Sequence, residues 1–193
     1  MKSICVYLGS NPGHRPEYAE AARALAREIV RRDLTLVYGG AKVGLMGILG
    51  DAAKEAGGRV VGILPKALMQ RELAHEGLDD LHIVASMHER KALMEQLSDG
   101  FIAIPGGIGT LEEIFEVWTW GQLGDHEKPI GFLNVGGFYD ALMEFLDVQR
   151  DEGFVKPAMR DMALVDTDPA ALLDRFERYQ PPTVAKWIGH KDR

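Results

Sequence analysis

Short runs rich in valine, isoleucine and leucine alternate with longer segments of helical periodicity along most of the chain. This alternation is typical of parallel β-strands joined by crossover helices, because strands buried on both faces are apolar throughout. We therefore predict an α/β fold, a doubly wound parallel sheet of about six or seven strands with helices on both faces. The predicted strands are residues 4–8, 35–38, 60–64, 82–85, 101–104 and 130–134, with a seventh candidate at 163–165. The predicted helices are residues 17–32, 45–56, 87–98, 111–123, 139–152 and 169–179.

The length of the chain indicates one domain. It has 193 residues, and a typical domain has roughly 150. No internal repeat, low-complexity tract or linker interrupts the alternating pattern. We therefore predict a single functional domain over residues 1–180 and a C-terminal tail over residues 181–193, which begins with two prolines.

Charge and cysteine content argue against several classes of function. Lysine and arginine number 22 against 29 aspartates and glutamates, a net charge of −7, which disfavours nucleic-acid polymers and anionic membrane surfaces as partners. The single cysteine, Cys5, cannot form an intrachain disulfide or a cysteine-rich zinc site. No apolar run is long enough for a secretion signal or a membrane span. We expect a cytoplasmic protein without a membrane partner.

Glycines follow several of the predicted strands. Gly9-Ser10 follows the first strand, Gly39-Gly40 the second, and Gly106 to Gly109 the fifth. Ligands of open α/β sheets bind beyond the carboxyl ends of the strands, where glycines let backbone N–H groups approach an anion. A phosphate is the expected ligand, although tight strand-to-helix turns also use glycine. A P-loop NTPase and a dinucleotide-binding protein are both disfavoured, because neither fingerprint is present.

The segment after the fifth strand offers a candidate catalytic carboxylate. Thr110 and Glu113 have the spacing of a capping box, so Glu113 has a purely structural alternative role. At about 100° per residue, however, Glu113 shares a face with Val117 and Trp120, whereas Glu112 points outward. An inward carboxylate beside an anion-binding loop is costly unless it has a partner or a task. We therefore predict that Glu113 is catalytic.

A second capping box, Ser86 to Glu89, is followed directly by Arg90 and Lys91. Two cations in the first turns of a helix oppose the helix dipole. Arg90 lies on the apolar stripe of its helix, so we expect it to point inward toward a bound anion or Glu113. The alternative is that Arg90 extends past the stripe to water. Lys91 lies at the edge of the stripe, where a solvated role is equally reasonable.

The remaining reactive residue types give no further site. The six histidines show no paired metal-ligand spacing, so we expect no metal. Cys5 lies inside a predicted strand and no nucleophile elbow is present, so Cys5 is assigned to the core. The helix after the glycine loop is apolar around most of its circumference, which indicates either a central helix or a face that packs on a second copy. We predict a homodimer.

Two motifs resemble the LOG family, the cytokinin riboside 5′-monophosphate phosphoribohydrolases. The family hallmark PGGxGTxxE is present as PGGIGTLEE over residues 105–113, and a second signature is present as MHERK over residues 87–91. The resemblance extends from Gly9-Ser10 to residues 133–135. It implies a Rossmann-like fold, a dimer, and hydrolysis of the N-glycosidic bond of AMP-type 5′-monophosphates to free base and ribose 5-phosphate, without a cofactor. Members are also labelled lysine decarboxylases, but the sequence shows no pyridoxal-phosphate constellation.

By position, the resemblance implies that Arg90 and Glu113 are the catalytic pair. The implied substrate-binding residues are Gly9, Ser10, Gly40, Glu72, Met87, Lys91, Gly106, Gly107, Ile108, Gly109, Thr110, Leu111 and Glu112. The second-strand loop departs from the family pattern, because Ala41 stands where a third glycine is usual. We expect its methyl group to tighten the pocket.

Two alternatives to this hydrolase remain open from the sequence. A non-catalytic carrier of a nucleotide or phosphorylated cofactor would use the same loops. Glycosyl transfer to an acceptor other than water would keep the same residues. The sequence also leaves open whether Glu113 stabilises a cationic transition state or activates water, and whether the base is adenine or an N6-modified adenine.

Overall fold

The fold is a seven-stranded parallel sheet with the strand order β4-β3-β2-β1-β5-β6-β7. We describe a computed structural model of the chain, which covers residues 1–69 and 74–183. The strands are β1 (Ser3–Tyr7), β2 (Thr35–Tyr38), β3 (Val60–Pro65), β4 (Asp80–Val84), β5 (Phe101–Ala103), β6 (Ile130–Leu133) and β7 (Ala163–Asp166). All seven predicted strands are present, and the predicted doubly wound α/β sheet is confirmed as Rossmann-like.

Helices cover both faces of this sheet. They are α1 (Pro16–Arg31), α2 (Gly44–Glu55), α3 (Met87–Gln96), α4 (Ile108–Gln122), α5 (Asp140–Asp151), α6 (Pro157–Arg160) and α7 (Pro169–Glu177). Helices α1, α2 and α7 contribute to one apolar cluster, and α3, α4 and α5 contribute to the other. Cys5 is fully buried in the second cluster, as predicted. Single 3₁₀ turns lie at Lys66–Leu68 and Val135–Gly137.

The order in which the chain adds strands to the sheet reverses at β1 and β5, which are parallel neighbours. Strands β2 to β4 extend the sheet on one side of this pair, and β6 and β7 extend it on the other. After β1 the chain continues into α1 on one face, and after β5 it continues into α4 on the other. The loops that follow β1 and β5 contact each other at this point. The Gly9 N–H donates to the Pro105 carbonyl at 3.2 Å. Such a switch point is where ligands of open α/β sheets bind.

One predicted boundary is wrong, with consequences for the site. Helix α4 begins at Ile108 with Gly107 as its N-cap, so Thr110 is not the capping residue that its sequence spacing indicated. The Thr110 side chain instead packs inward beneath Gly106 and is buried. The glycine loop therefore leads directly into the helix.

Two further sequence predictions concern membrane spans and the boundary between the domain and the tail. Within residues 1–69 and 74–183, no helix is both long and apolar enough to span a membrane. The division between a domain at 1–180 and a tail at 181–193 stays a prediction, because residues 184–193 lie outside the described part of the chain.

Candidate functional site

A cavity of about 360 Å³ lies at the carboxyl ends of β1 and β5, between α3 and α4. Ten predicted site residues line it: Gly9, Ser10, Met87, Arg90, Gly107, Ile108, Gly109, Thr110, Glu112 and Glu113. Residues that the sequence analysis did not select also line it: Val6, Tyr7, Leu8, Gly39, Met46, Leu68 and Met94. The cavity therefore joins the glycine loop, the start of α3 and the first two turns of α4.

Arg90 is buried at the start of α3 and points into this cavity. The Ser86 hydroxyl caps the helix by accepting from the Glu89 N–H at 3.1 Å, and the Glu89 carboxylate accepts from the Ala85 N–H at 2.8 Å. The second capping box therefore forms, with its reciprocal bond one residue earlier than the pattern specifies. The buried Nε of Arg90 has no hydrogen-bond partner among the described residues. The guanidinium of Arg90 is thus not fully satisfied by its partners among the described residues.

Glu113 faces Arg90 from α4, as the helical periodicity predicted. The Arg90 Nη2 atom lies 3.4 Å from the Glu113 Oε1 atom, and the two side chains are only 8% and 11% exposed. Burial of a charge is unfavourable unless a counter-charge compensates for it. The prediction that Arg90 points inward toward Glu113 is therefore confirmed, and its extension to water is wrong.

Lys91 forms two further ion pairs between the same two helices. Its Nζ atom lies 2.6 Å from Glu112 Oε1 and 2.9 Å from Glu116 Oε2. Burial by itself lowers the pKa of the ammonium, but the hydrogen bond to Glu112 and the contact with Glu116 outweigh it and raise the pKa above its ordinary value. Lys91 is thus buried and paired rather than solvated.

The glycine loop has the form of an anion-binding turn. The first N–H groups of a helix have no partner within that helix, and Gly107 to Thr110, which carry them in α4, line the cavity. A side chain at Gly106 would overlap the Thr110 hydroxyl and come within 2.8 Å of the Gly9 nitrogen. The Tyr139 hydroxyl donates to the Ile104 carbonyl at 2.8 Å, just before the loop. The loop is therefore fixed from both ends.

Several predicted substrate-binding residues lie outside this cavity. Gly106 lines an adjacent cavity of about 250 Å³, which shares Gly9, Ser10 and Gly107 with the first. Lys91 and Leu111 do not line either cavity. Glu72 lies outside the described residues.

The second-strand loop contributes a different glycine from the one predicted. Gly40 has a φ of +71° and packs against Gly62 and Leu81, whereas Gly39 lines the cavity. A side chain at Gly39 would overlap Nη2 of Arg90, so Gly39 provides the space for the guanidinium. Ala41 is buried in the core and does not line the cavity, so its methyl group does not tighten the pocket. The sequence indicated a glycine at this strand end but not which one faces Arg90.

Tyr7 was missed because an aromatic residue inside a strand pattern is ordinarily a core residue. It is 2% exposed, and its hydroxyl has no hydrogen-bond partner among the described residues. Burial, and then the neighbouring Cys5 and Glu113, raise the pKa of Tyr7 well above its ordinary value. The phenol therefore stays protonated beside the cavity.

Comparison with known proteins assigns the chain to a family. A family model described as "Possible lysine decarboxylase" matches residues 46–176. The chain is 49% identical over 181 residues to cytokinin riboside 5′-monophosphate phosphoribohydrolase LOG5 of Arabidopsis thaliana, covering 94% of this chain and 79% of that protein. It is 48% identical to LOG7 of the same plant, covering 94% and 83%. The chain belongs to the LOG family.

Solved structures similar to this LOG-family chain share its fold. The molybdenum cofactor carrier protein of Chlamydomonas reinhardtii matches with a TM-score of 0.70 and 21% identity, covering 92% of this chain and 99% of that one. The molybdenum cofactor binding protein of Rippkaea orientalis matches with a TM-score of 0.68 and 22% identity, covering 92% and 97%. At this identity the likeness shows the fold alone.

The site of this LOG-family chain gives no support to amino-acid decarboxylation. A pyridoxal-phosphate enzyme needs a lysine for the Schiff base, and no lysine is among the described residues that line the 360 Å³ cavity. Lys91, which is nearby in α3, is held by two carboxylates. In the described ranges, no group of three or more histidine, cysteine, aspartate or glutamate side chains is arranged to hold a metal ion.

Proposed function

We propose that the protein hydrolyses the N-glycosidic bond of AMP-type nucleoside 5′-monophosphates, cytokinin riboside 5′-monophosphates among them, to a free base and ribose 5-phosphate. The observation that carries the proposal is the buried Arg90–Glu113 pair, which shares one cavity with an anion-binding glycine loop. The identity of 49% with an enzyme named for this reaction supports it.

In this proposal the glycine loop and the start of α4 bind the 5′-phosphate. Backbone N–H groups at a helix N-terminus and the positive end of the helix dipole favour a phosphate. Apart from the adjoining backbone, no atom of the described residues lies within 4 Å of the position that a side chain would occupy at Gly107 or Gly109, which leaves room for the phosphate. The net charge of the whole chain is negative, so the phosphate is attracted by these local groups and not by the overall charge.

Glu113 then acts at the ribose. When the bond between C1′ and the base breaks, its electron pair leaves with the base and positive charge develops on the ribose. A buried carboxylate stabilises this charge or accepts the proton of the water that attacks C1′, while the departing base takes up a proton. Arg90 orients the nucleotide and balances the charge of Glu113. The scheme uses no cofactor.

The proposal includes a homodimer and a cytoplasmic location. Leu111, Phe115 and Trp120 of α4 are only half-buried in one chain, and Ile108 at the cavity rim is 87% exposed. Apolar surface of this kind is typical of an interface. Sedimentation at several concentrations tests the dimer, and cell fractionation tests the location.

A carrier that binds a nucleotide without cleaving it is the second candidate. Its only support is a fold shared at 21–22% identity with a molybdenum cofactor carrier protein and a molybdenum cofactor binding protein, whereas the relatives named as phosphoribohydrolases are more than twice as similar in sequence. The hydrolase is therefore favoured.

The deciding experiment follows free base and ribose 5-phosphate by chromatography from AMP and N6-isopentenyl-AMP. Adenosine and N6-isopentenyladenosine serve as matched substrates without the phosphate, and Glu113→Gln serves as the control for contaminating hydrolases. Release from the monophosphates alone, absent in the variant, supports the proposal and ranks the two bases. Saturable AMP binding in calorimetry with no base released from any substrate favours the carrier instead.

A further inference from the structure

Glu116 has no assigned role in the proposed reaction, yet it contacts the helix that carries Arg90. It lies one helical turn after Glu112 on α4, so both carboxylates face the same side. Lys91 Nζ contacts both of them, at 2.6 Å from Glu112 and 2.9 Å from Glu116. Glu116 is the more buried carboxylate, at 25% exposed against 51% for Glu112. Glu116 is therefore the partner of Lys91 that is better shielded from water, whereas Glu112 makes the shorter contact, a hydrogen bond.

The three ion pairs between α3 and α4 are coupled through the backbone. Arg90 and Lys91 are consecutive on α3, and Glu112 and Glu113 are consecutive on α4. A rotation or shift of α3 therefore moves Arg90 and Lys91 together. The Lys91 contacts are short, whereas the Arg90 Nη2 to Glu113 Oε1 distance is 3.4 Å. The short contacts of Lys91 hold α3 against α4, and the longer Arg90–Glu113 pair remains available to a substrate.

We propose that Glu116 is a positioning residue, which holds Lys91 against α4 and thereby keeps Arg90 opposite Glu113. The inference rests on the proposed function and adds a residue to it. Glu116 does not line the 360 Å³ cavity, so its effect passes through Lys91. Small displacements of reacting groups have large effects on rate, of the order of a hundredfold for about 1 Å.

The charges of the five residues in these ion pairs predict different effects on AMP binding and on turnover. Glu112, Glu113 and Glu116 carry three negative charges against the two positive charges of Arg90 and Lys91. Loss of the Glu116 charge leaves the charge of Arg90 and the phosphate loop in place, so AMP binding is preserved, whereas turnover depends on the exact distance between Arg90 and Glu113 and falls. Loss of the Lys91 charge leaves two carboxylates without their cation, so both AMP binding and turnover fall.

The test compares Glu116→Met and Glu116→Gln with Glu95→Gln. Glu95 forms a similar ion pair with Lys128 at 2.6 Å but lies outside the cavity. We expect Glu116→Met to lower kcat about tenfold, with AMP affinity and binding stoichiometry in calorimetry unchanged. Glu116→Gln recovers most of kcat, since its amide oxygen has the same place as the carboxylate oxygen and keeps a polar contact with Lys91. Glu95→Gln keeps the kcat of the unsubstituted protein. A wild-type kcat in Glu116→Met overturns the proposal, as does an equal loss of AMP binding.

A double-mutant cycle tests the route through Lys91. If Glu116 acts through Lys91, the double variant Lys91→Met/Glu116→Met has the same kcat as Lys91→Met alone. Losses of kcat that simply multiply overturn the proposal. If the unsubstituted protein releases no base, the proposed function is wrong whether or not Glu116 holds Lys91. The double-mutant cycle is then measured by urea unfolding. A coupling of at least about tenfold in the unfolding constant then supports the contact, because breaking a partly buried ion pair is costly, and additive effects overturn it.

Discussion

The guanidinium of Arg90 and the carboxylate of Glu113 face each other across the cavity, with Nη2 3.4 Å from Oε1. Both side chains are almost fully buried, although a buried ion pair recovers its desolvation cost only when its geometry is nearly ideal. The Nε of Arg90 has no hydrogen-bond partner in the described part of the chain, so this geometry is not fully satisfied. Such an arrangement contributes little to folding and leaves polar groups available for a ligand. This explains why two charges are maintained at the carboxyl edge of an otherwise apolar sheet.

Replacing Glu113 by glutamine separates chemistry from binding. Glutamine has the same shape but neither stabilises a cationic ribose nor accepts a proton from water. We expect base release to fall by about a thousandfold. The dissociation constant of AMP in calorimetry should change by no more than about threefold, because the phosphate contacts are unaffected. A variant with the turnover of the unsubstituted protein would refute the catalytic role of Glu113.

Replacing Arg90 should impair both binding and turnover. Lysine carries the charge but lacks the planar fork of the guanidinium, so Arg90→Lys should retain more AMP binding than Arg90→Met. We expect Arg90→Met to lower kcat/KM by at least about a hundredfold, since the carboxylate of Glu113 loses its cation. Steady-state kinetics and calorimetry on both variants check this order. Equal AMP affinities in the two variants would show that charge at position 90 does not orient the nucleotide.

The sheet could be predicted from sequence because buried parallel strands have a strong local signal. Runs such as residues 60–64 are apolar on both faces, and all seven strands were found within a few residues of their observed ends. The helical periodicity also placed Glu113 on the inward face of α4. These inferences needed only the order of residues along one element.

The missing details depend on contacts between elements. A Thr-x-x-Glu spacing indicated a cap at Thr110, but packing of that side chain beneath Gly106 moves the start of α4 to Ile108. The choice between Gly39 and Gly40 depends on where Arg90 arrives from α3. The pairing of Lys91 with α4 likewise requires the distance between two helices. No pattern within one segment contains this information.

Stability in acid should depend on Glu28, which joins α1 to α7 through Arg32. Hydrogen bonds from Arg31 and Arg32 lower the pKa of Glu28 from 4.5 to about 2. Burial acts in the opposite direction but is outweighed. The folded-state pKa is depressed, so Glu28 stabilises the fold above its ordinary pKa, and this contribution is lost as pH falls from about 4.5 toward 2. Urea unfolding at pH 7, 4 and 2 should show a smaller decline in Glu28→Gln than in the unsubstituted protein.

Substitution of Glu20 gives the matched control for that measurement. Glu20 is exposed on the same helix and belongs to none of the ion pairs among the described residues. Glu20→Gln should retain the pH dependence of the unsubstituted protein. If Glu28→Gln retained it as well, the depressed pKa of Glu28 would make no contribution to acid stability.

Two neighbouring glycines in the loop should respond differently to alanine. At Gly106 the new methyl group would overlap the Thr110 hydroxyl and approach the Gly9 nitrogen at 2.8 Å, so Gly106→Ala should lower the free energy of unfolding by about 1–3 kcal/mol. At Gly107 the φ is −92° and, apart from the adjoining backbone, no atom within residues 1–69 and 74–183 lies within 4 Å of the methyl position. Gly107→Ala should therefore lose only the preference of an N-cap for glycine over alanine, about 1 kcal/mol or less in urea unfolding, but bind AMP about tenfold more weakly, because the methyl group occupies the space proposed for the phosphate. Unchanged AMP affinity in Gly107→Ala would place the phosphate elsewhere in the cavity.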